Sequence, residues 1–181
     1  MGTIGGSISH ADPAADYPAV LLALGAQIRV QGPSGARTIA ADDFFTDLFT
    51  TALQPNEVLV GVQVGPRPPG GRAGTAYAKH PHPASGFAVV GVAAAVTTDD
   101  KNSVTRARVA VTGACAKAQH LAATEKALMG KALSADAIKS AATANNGLDC
   151  LSDQYASAEY RAHLAGVLAR HALTTAMERL Q

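Results

Sequence analysis

The sequence has 181 residues, of which 48% are apolar and 16% charged, and its formal net charge at pH 7 is +1. A chain of this length can bury a core without disulfide or metal cross-links. With 15 basic and 14 acidic residues it has no field to hold a polyanion, which argues against nucleic-acid binding. The apolar fraction is mostly Ala and Val, since Trp is absent and there are only four Tyr and four Phe. We therefore expect helices that pack closely through small side chains.

The sequence contains no recognisable targeting signal, and its two cysteines match no metal-binding motif. The longest apolar run, residues 87–96, is about half the length that a helix needs to cross a bilayer, so no membrane span is expected. The N-terminal sequence MGTIGG has neither the basic nor the apolar region of a signal peptide, which predicts a cytoplasmic protein. Cys115 and Cys150 have no metal-binding spacing, and we expect two reduced thiols, with Cys115 buried at a strand end.

The first part of the chain predicts short helices and an antiparallel hairpin. Alternation of apolar and polar residues predicts strands at residues 26–31, 36–40 and 57–64, the first two joined by the turn GPSG. Helices are predicted at residues 14–25 and 44–49. In the first helix Pro18 is tolerated in the opening turn and Gly25 can end it. Asp42 and Asp43 are candidate N-caps of the second.

The sequence GPRPPGG, at residues 65–71, is the densest cluster of glycine and proline. We interpret it as the boundary between a domain of residues 1–67 and a domain of residues 72–181. In the second domain, strands are predicted at residues 76–79, 87–97 and 104–113, and helices at residues 117–129, 134–144 and 156–180. Ser134 is a candidate N-cap, and the last helix carries an apolar stripe. This half is predicted to be a three-stranded antiparallel sheet packed against helices, an α+β arrangement.

The most informative stretch is TIGGSISHADPAADY, residues 3–17. A Gly-Gly pair between hydroxyl residues lets the backbone approach a ligand, and consecutive N–H groups in such a loop can bind a phosphate. Asp16 would stand at the start of a helix, where its carboxylate can accept a hydrogen bond from a sugar or ribityl hydroxyl. The residues alone leave a second interpretation open, a glycine turn followed by an Asp N-cap.

Other polar residues have structural as well as functional interpretations. His10, Asp12 and Asp16 could ligate a metal, but carboxylates near a helix start are usually caps. His80 and His82 would share one face of an extended strand, whereas the interleaved prolines favour a surface loop. We therefore expect no metal site. No Ser-His-Asp or Cys-His arrangement is recognisable, so no catalytic side chain is assigned.

Four segments together resemble the FAD-binding medium subunit of molybdenum hydroxylases, the family of aerobic carbon monoxide dehydrogenases and xanthine dehydrogenases. The first is TIGGS followed by ADPAAD and an apolar helix, and the second is EVLV at residues 57–60. The others are YAK with SGFAVVG, at residues 77–79 and 85–91, and SAEYRAHL at residues 157–164. The resemblance extends over essentially the whole chain. In the last segment, Tyr160 and Arg161 are expected in helix packing and in a surface or subunit contact.

The resemblance implies a remnant of the second FAD-binding subdomain followed by a flavoprotein C-terminal domain. It also implies an oxidoreductase subunit in which electrons from a molybdopterin-containing large subunit pass through [2Fe-2S] clusters on a small subunit and then through FAD to a terminal acceptor. The implied FAD-binding residues are Thr3, Ile4, Gly5, Gly6, Ser7, Asp16, Leu59 and Lys79. An exposed position at a strand end is the other interpretation of Lys79.

The family also carries a first flavin loop, of the form AGG[TH][DS], in a small αβ subdomain before the TIGG loop, whereas this sequence begins at the second loop. A cofactor enclosed on one side only loses buried area and preorganisation. We therefore expect this polypeptide alone to bind FAD weakly or not at all, with the first subdomain supplied by a separate chain or by a longer form of this one. Two hypotheses follow, a partial flavoprotein subunit and a flavin-less interaction or scaffolding module.

Overall fold

Antiparallel sheets and helices alternate along the chain. The computed structural model describes residues 2–67, 71–144 and 146–181. The helices are α1 (Ile4–His10), α2 (Tyr17–Leu24), α3 (Ala41–Phe44), α4 (Ala122–Leu128), α5 (Ala135–Ala142) and α6 (Ala158–Glu178). The strands are β1 (Gln27–Gly32), β2 (Gly35–Ala40), β3 (Phe45–Asp47), β4 (Thr50–Thr51), β5 (Val58–Gln63), β6 (Arg72–Pro81), β7 (Ala88–Thr98), β8 (Val104–Thr112) and β9 (Gln119–His120). The predicted α+β class is confirmed.

In the part of the chain that the structure describes, no helix is both long and apolar enough to cross a membrane. Three residues of the glycine and proline cluster, Pro68, Pro69 and Gly70, lie outside the described residues. The domain boundary placed between residues 67 and 72 therefore stays a prediction.

The first sheet is antiparallel, with the strand order β2-β1-β5. β1 and β2 form the predicted hairpin, in which Gly32 pairs with Gly35. Ile28 and Val30 are fully buried while their neighbours in β1 are exposed, as alternation predicts for a strand with one covered face. The helix predicted over residues 14–25 begins only at Tyr17, because Ala14 and Ala15 belong to a turn in which both their N–H groups donate to Asp12. It ends at Leu24, and Gly25, which follows, adopts the left-handed conformation with φ of 62°.

The helix predicted over residues 44–49 is wrong. α3 ends at Phe44, and the chain continues as a small hairpin of β3 and β4. Asp42 and Asp43 lie inside the first turn of α3 instead of capping a helix. Phe44 and Phe45 are both buried and pack edge to face, with ring centroids 5.2 Å apart. Burying two consecutive aromatic rings in one small core favours a change from helix to strand between them over a continued helix.

The second sheet has the order β6-β7-β8-β9 and is antiparallel throughout. Its three long strands are the predicted ones, and the turn between β7 and β8 contains Asn102 with φ of 64°. Helices α5 and α6 also form where the sequence predicted them. Ser134 accepts the N-cap hydrogen bond of α5, and Ser157 accepts that of α6.

The start of the helix predicted over residues 117–129 is wrong. Gln119 and His120 form β9, which pairs with two residues of β8, and α4 begins only at Ala122. The sequence here has helix-favouring residues, but pairing with an open strand edge satisfies the same backbone groups. The sheet therefore has a fourth strand that local pattern did not reveal.

Strand β7 is buried along nearly its whole length because both of its faces are covered. Val92, Ala94 and Val96 belong to a core shared with α4, α5 and α6. Ala93 belongs to a second core, which contains α2, the first sheet and Ala110 of β8. Small side chains on this face let α2 approach the sheet closely. The second sheet is thus the middle layer between the C-terminal helices and α2.

Helix α6 lies against β6 at a point where only glycine fits. A Cβ atom at Gly74 would lie 1.9 Å from the carbonyl oxygen of Ala176 and 2.9 Å from its carbonyl carbon. Both are backbone atoms, so the clash could be relieved only by moving the helix away from the strand. The glycine therefore sets the distance between α6 and the sheet.

We expect Gly74→Ala to lower the free energy of unfolding by about 2 kcal/mol, since overpacking a rigid contact costs about 1–3 kcal/mol. Gly61→Ala, in β5, is the matched control because a Cβ atom there meets nothing within 4 Å. It should change stability by less than about 0.5 kcal/mol. Urea unfolding followed by circular dichroism measures both variants. Equal stability of the two would show that α6 is not seated on β6 in this way.

His120 links α3 to the second sheet through charged groups. Its Nδ1 lies 2.7 Å from Glu125 Oε1, and its Nε2 lies 3.0 Å from Asp42 Oδ1. Arg108 Nη2 donates to the same Asp42 oxygen at 2.5 Å and lies 3.1 Å from His120 Nε2. The pKa of His120 is raised above its ordinary value, chiefly by the hydrogen bond to the Glu125 carboxylate and also by Asp42. Burial and the Arg108 charge lower the pKa but do not cancel this increase. A doubly protonated ring can donate to both carboxylates.

We expect the contribution of His120 to stability to fall as the pH rises through its pKa in the folded protein. Because the folded pKa is the higher one, the contribution is fully present below about pH 6.5, the pKa of an unperturbed histidine. His120→Gln should therefore cost on the order of 1 kcal/mol near pH 6 and much less near pH 9. Urea unfolding at both pH values measures this, with His163→Gln, at an exposed position of α6, as the control. A cost that is the same at both pH values would contradict the charged link.

Candidate functional site

Residues 3–7, predicted as a glycine loop, form the start of a helix instead. Thr3 is the N-cap of α1, since its Oγ1 accepts a hydrogen bond from Gly6 N at 3.0 Å and its carbonyl accepts one from Ser7 N at 3.0 Å. Ile8, one turn further on, is fully buried. The cap and the buried Ile8 offset the low helix propensity of the glycine pair. The predicted loop is therefore wrong, although these residues do lie at the surface.

The start of α1 lies at the surface of the protein and against Leu59. The first N–H groups of a helix have no partner within the helix and carry a partial positive charge. Gly6 is exposed and Gly5 is half-buried. A Cβ atom at Gly5 would lie 3.7 Å from Leu59 Cδ2, so the glycine backbone faces β5 directly. The structure thus brings residues 3–7 and Leu59, all predicted site residues, to one place.

Asp16 receives two side chains from β6 instead of capping α2. It stands at the N-cap position but makes no side-chain cap hydrogen bond. Its Oδ1 accepts from Tyr77 Oη at 2.5 Å, and its Oδ2 accepts from Lys79 Nζ at 2.8 Å. The Asp16 side chain is 43% exposed and that of Lys79 is 25% exposed. Two predicted site residues therefore form an accessible ion pair.

Tyr77 is the member of this cluster for which the sequence predicted no role. Its hydroxyl reaches Asp16 over Gly91, where an added Cβ atom would lie 2.2 Å from Tyr77 Oη. Burial, and then the Asp16 carboxylate, raise the pKa of the Tyr77 phenol, so it stays protonated and donates. The signal that could have found it is its spacing from Lys79, because residues two apart in a strand share a face.

The turn before α2 carries Asp16 to this position. Pro13 O accepts a hydrogen bond from Gly113 N at 2.6 Å, and Ala14 O accepts one from Ala88 N at 3.0 Å. Gly113 directly follows β8, and Ala88 is the first residue of β7. The strand ends of the second sheet thereby fix the turn and, with it, the Asp16 carboxylate.

Arg161, for which helix packing and a surface or subunit contact were expected, is buried, with 6% of its surface exposed. Its Nη1 donates to Val89 O at 2.6 Å and to Gly113 O at 2.8 Å, and its Nη2 donates to Asp153 Oδ2 at 2.5 Å. Val89 and Gly113 belong to the same strand ends that hold the turn before α2. Arg161 therefore positions Asp16 indirectly: it binds the strand ends, and the strand ends bind the turn that carries Asp16. Sequence pattern could not reveal this because two of its partners are backbone oxygens.

The residues weighed as metal ligands have other partners. The His10 ring packs against Phe49 with centroids 5.1 Å apart, and Asp12 Oδ1 accepts from Ala14 N at 2.8 Å. Asp16 is occupied as described above. Among residues 2–67, 71–144 and 146–181, no group of three or more His, Cys, Asp or Glu side chains could hold a metal ion.

The surface loop expected at His80 and His82 is wrong for the first of the two. β6 extends to Pro81, so His80 lies within the strand and His82 just beyond it. Pro81 is accommodated because β6 is an edge strand, where its missing N–H group leaves no ladder hydrogen bond unmade. The rings of His80 and His82 pack against Tyr160 and Tyr155, at centroid distances of 6.3 Å and 4.5 Å.

Two family models match the chain. Residues 1–68 match the FAD binding domain in molybdopterin dehydrogenase, and residues 75–176 match the CO dehydrogenase flavoprotein C-terminal domain. The second match alone covers more than half of the sequence.

Curated relatives are similar over almost the whole chain. The nicotine 6-hydroxylase medium subunit of Paenarthrobacter nicotinovorans is 35% identical over 176 residues, which are 97% of this chain and 60% of the relative. The carbon monoxide dehydrogenase medium chain of Hydrogenophaga pseudoflava is 34% identical over 179 residues, 98% of this chain and 61% of the relative. The chain thus spans about three fifths of the length of these relatives.

Solved structures give the same picture. A carbon monoxide dehydrogenase from Hydrogenophaga pseudoflava that lacks the Mo-pyranopterin moiety matches with a TM-score of 0.91 at 35% identity, over 99% of this chain and 62% of the other. Quinoline 2-oxidoreductase from Pseudomonas putida 86 matches with a TM-score of 0.85 at 28% identity, over 98% of this chain and 61% of the other.

We expect Gly91→Ala to disrupt the contact between Tyr77 and Asp16, because the new Cβ atom takes the space of the hydroxyl. The loss of stability should be about 2–3 kcal/mol in the wild-type background. It should be at least about 1 kcal/mol smaller in a Tyr77→Phe background, where the hydroxyl is already absent. Urea unfolding of the four proteins completes the double-mutant cycle. Additive effects would show that Gly91 does not make room for the hydroxyl.

Proposed function

Because this chain belongs to the family of FAD-binding medium subunits of molybdenum hydroxylases, we propose that it forms one side of an FAD site and serves electron transfer to a terminal acceptor. The observation that carries the proposal is the FAD-binding family match over residues 1–68, where the start of α1 lies against Leu59. FAD, when bound, would supply the redox chemistry. The protein would supply binding, orientation and electrostatics, and no side chain is assigned as acid, base or nucleophile.

We assign the FAD pyrophosphate to residues 3–7. A helix start presents a positive end and N–H groups without a backbone partner to a phosphate. Because the Gly6 N–H donates to Thr3 Oγ1, the N–H groups of Ile4 and Gly5 are the ones that would bind it. Gly5 and Gly6 keep side chains away from this backbone, so an anion can reach it. Leu59 beside Gly5, together with the exposed Ile4, offers an apolar surface of the kind that a flavin ring needs.

Asp16 would orient a hydroxyl-bearing part of the cofactor. A carboxylate has about four acceptor positions, of which Tyr77 and Lys79 use two. Since the side chain is 43% exposed, a ribityl or ribose hydroxyl can reach the others. Lys79 neutralises Asp16, so the site would hold a hydroxyl without adding net charge against the phosphates. Tyr77 would act by positioning the carboxylate.

The chain would need further polypeptide to bind FAD tightly. A ligand of this size buries most of its surface when bound, whereas residues 3–7 and Leu59 supply one side only. We propose that sequence corresponding to the remaining two fifths of the relatives' length completes the site, in a longer form of this chain or in a separate one. The further partners would be a molybdopterin-containing large subunit and a [2Fe-2S] small subunit, in the cytoplasm.

A flavin-less interaction module is the second candidate function. The specific observation in its favour is a set of exposed apolar side chains in the first part of the chain. Val58 and Val60, 65% and 57% exposed, share one face of the edge strand β5, and Ile4, Leu48 and Phe49 are also exposed. Exposed apolar groups on an edge strand are suited to covering by another polypeptide. In this candidate the contact would be the function, with no cofactor between the two.

We expect Gly5→Ala to weaken FAD binding by about tenfold or more, which is about 1.4 kcal/mol, while the fold is retained. The Cβ atom would make an ordinary contact with Leu59, and alanine in a helix is more stable than glycine by up to about 1 kcal/mol. Gly6 is a poorer probe, since a Cβ atom there would press on the capping Thr3 Oγ1 at 3.0 Å. FAD affinity is measured by flavin absorbance in the complex with the partner subunits, and folding by urea unfolding.

Gly65→Ala is the control, because a Cβ atom there meets nothing within 4 Å. If Gly5→Ala and Gly65→Ala bind FAD with equal affinity, α1 does not hold the pyrophosphate. If the wild-type complex binds no flavin at all, the flavoprotein function is refuted and the interaction module is favoured.

A further inference from the structure

Cys115 and Cys150 face each other across an isolated antiparallel β-bridge. Leu151 N donates to Ala114 O at 2.8 Å, which makes the two cysteines a non-hydrogen-bonded pair. In such a pair the Cα atoms are about 4.5 Å apart and the side chains approach most closely. Disulfides form across Cα separations of roughly 4.4–6.8 Å. The backbone is therefore already spaced for a bond between the two sulfur atoms.

The two thiols differ in access. Cys115 is 5% exposed and its Sγ accepts a hydrogen bond from Gln119 Nε2 at 3.0 Å, whereas Cys150 is only half-buried. Burial, and then the adjacent Cys150 thiol, raise the pKa of Cys115 to about 12. Burial also raises the pKa of Cys150. Cys150 is thus the sulfur that a soluble oxidant meets first, and Cys115 is the sulfur placed to resolve the product.

We propose that Cys115 and Cys150 are an oxidisable pair that closes to a disulfide with no rearrangement of the backbone. With hydrogen peroxide as the oxidant, Cys150 Sγ loses its proton and attacks a peroxide oxygen, which gives a sulfenic acid and water. Cys115 Sγ then loses its proton and attacks Cys150 Sγ, which forms the S–S bond and releases the second water. Two thiols lose two electrons and two hydrogens, and one peroxide becomes two waters.

The bond would stiffen the framework behind the candidate site. Cys115 lies two residues after Gly113. The Gly113 carbonyl accepts a hydrogen bond from Arg161, and the Gly113 N–H donates one to the Pro13 carbonyl. Cys150 lies three residues before Asp153, which binds the same Arg161. A disulfide would therefore join covalently the two chain segments that hydrogen-bond the buried arginine. Because this pair involves neither α1 nor Asp16, the inference does not rest on the proposed function.

The test is to expose the reduced, folded full chain to a small excess of hydrogen peroxide. We expect both thiols to disappear from the monomer, with a mass loss of about 2 Da for two hydrogens and a Cys115–Cys150 cross-linked peptide after digestion. Reduction should restore both thiols. The oxidised form should melt a few degrees higher than the reduced form, since a disulfide restricts the unfolded chain.

Single variants establish the order of the steps. Cys115→Ser should leave Cys150 as a trapped sulfenic acid that a dimedone probe labels, and Cys150→Ser should leave Cys115 largely unmodified. Neither variant should show the mass loss or the rise in melting temperature. The proposal is overturned if both wild-type thiols survive the treatment, if the disulfide forms only between molecules, or if it forms only after the chain is unfolded.

Discussion

Burial of β7 on both faces is the constraint on which the rest of the structure depends. A strand covered on two sides must carry apolar side chains throughout, and the sequence AVVGVAAAVTT does so. On the α2 side these side chains are small, so helix and sheet pack closely, and Gly74 allows α6 the same close approach to the neighbouring strand. The segment matched by the first family model therefore packs, through α2, on the sheet formed by the segment matched by the second, and this contact holds the first part of the chain in place.

The geometry of the candidate site depends on this contact between the first part of the chain and the second sheet. The ends of β7 and β8 hold the turn before α2, and the turn presents Asp16 to β6. The ion pair of Asp16 with Lys79 joins residues 63 positions apart. Arg161 fixes the same strand ends from the other side of the sheet. Asp16 lies in the region that matches a FAD-binding domain, but the residues that position its carboxylate lie outside that region. For this reason the two parts of the chain would act as one unit.

Local pattern predicted those elements whose contacts are local. The hairpin of β1 and β2 follows from alternation and a turn sequence, and the end of α2 follows from Gly25. Prediction was wrong where a distant contact outweighed the local preference. Residues 4–7 are helical because Ile8 is buried in the core with α2 and the first sheet, and Gln119 is in a strand because β8 offers an open edge.

The sequence by itself determined the α+β class, the family and the identity of the residues proposed to bind FAD, because periodicity, caps and motifs are read within a few positions of the chain. Only the tertiary structure decided what those residues contact. Tyr77 as the partner of Asp16, the burial of Arg161 and the facing pair of Cys115 and Cys150 all depend on atoms far apart in sequence. Several of those atoms are backbone carbonyls, which every residue has, so no pattern of side chains could have revealed them.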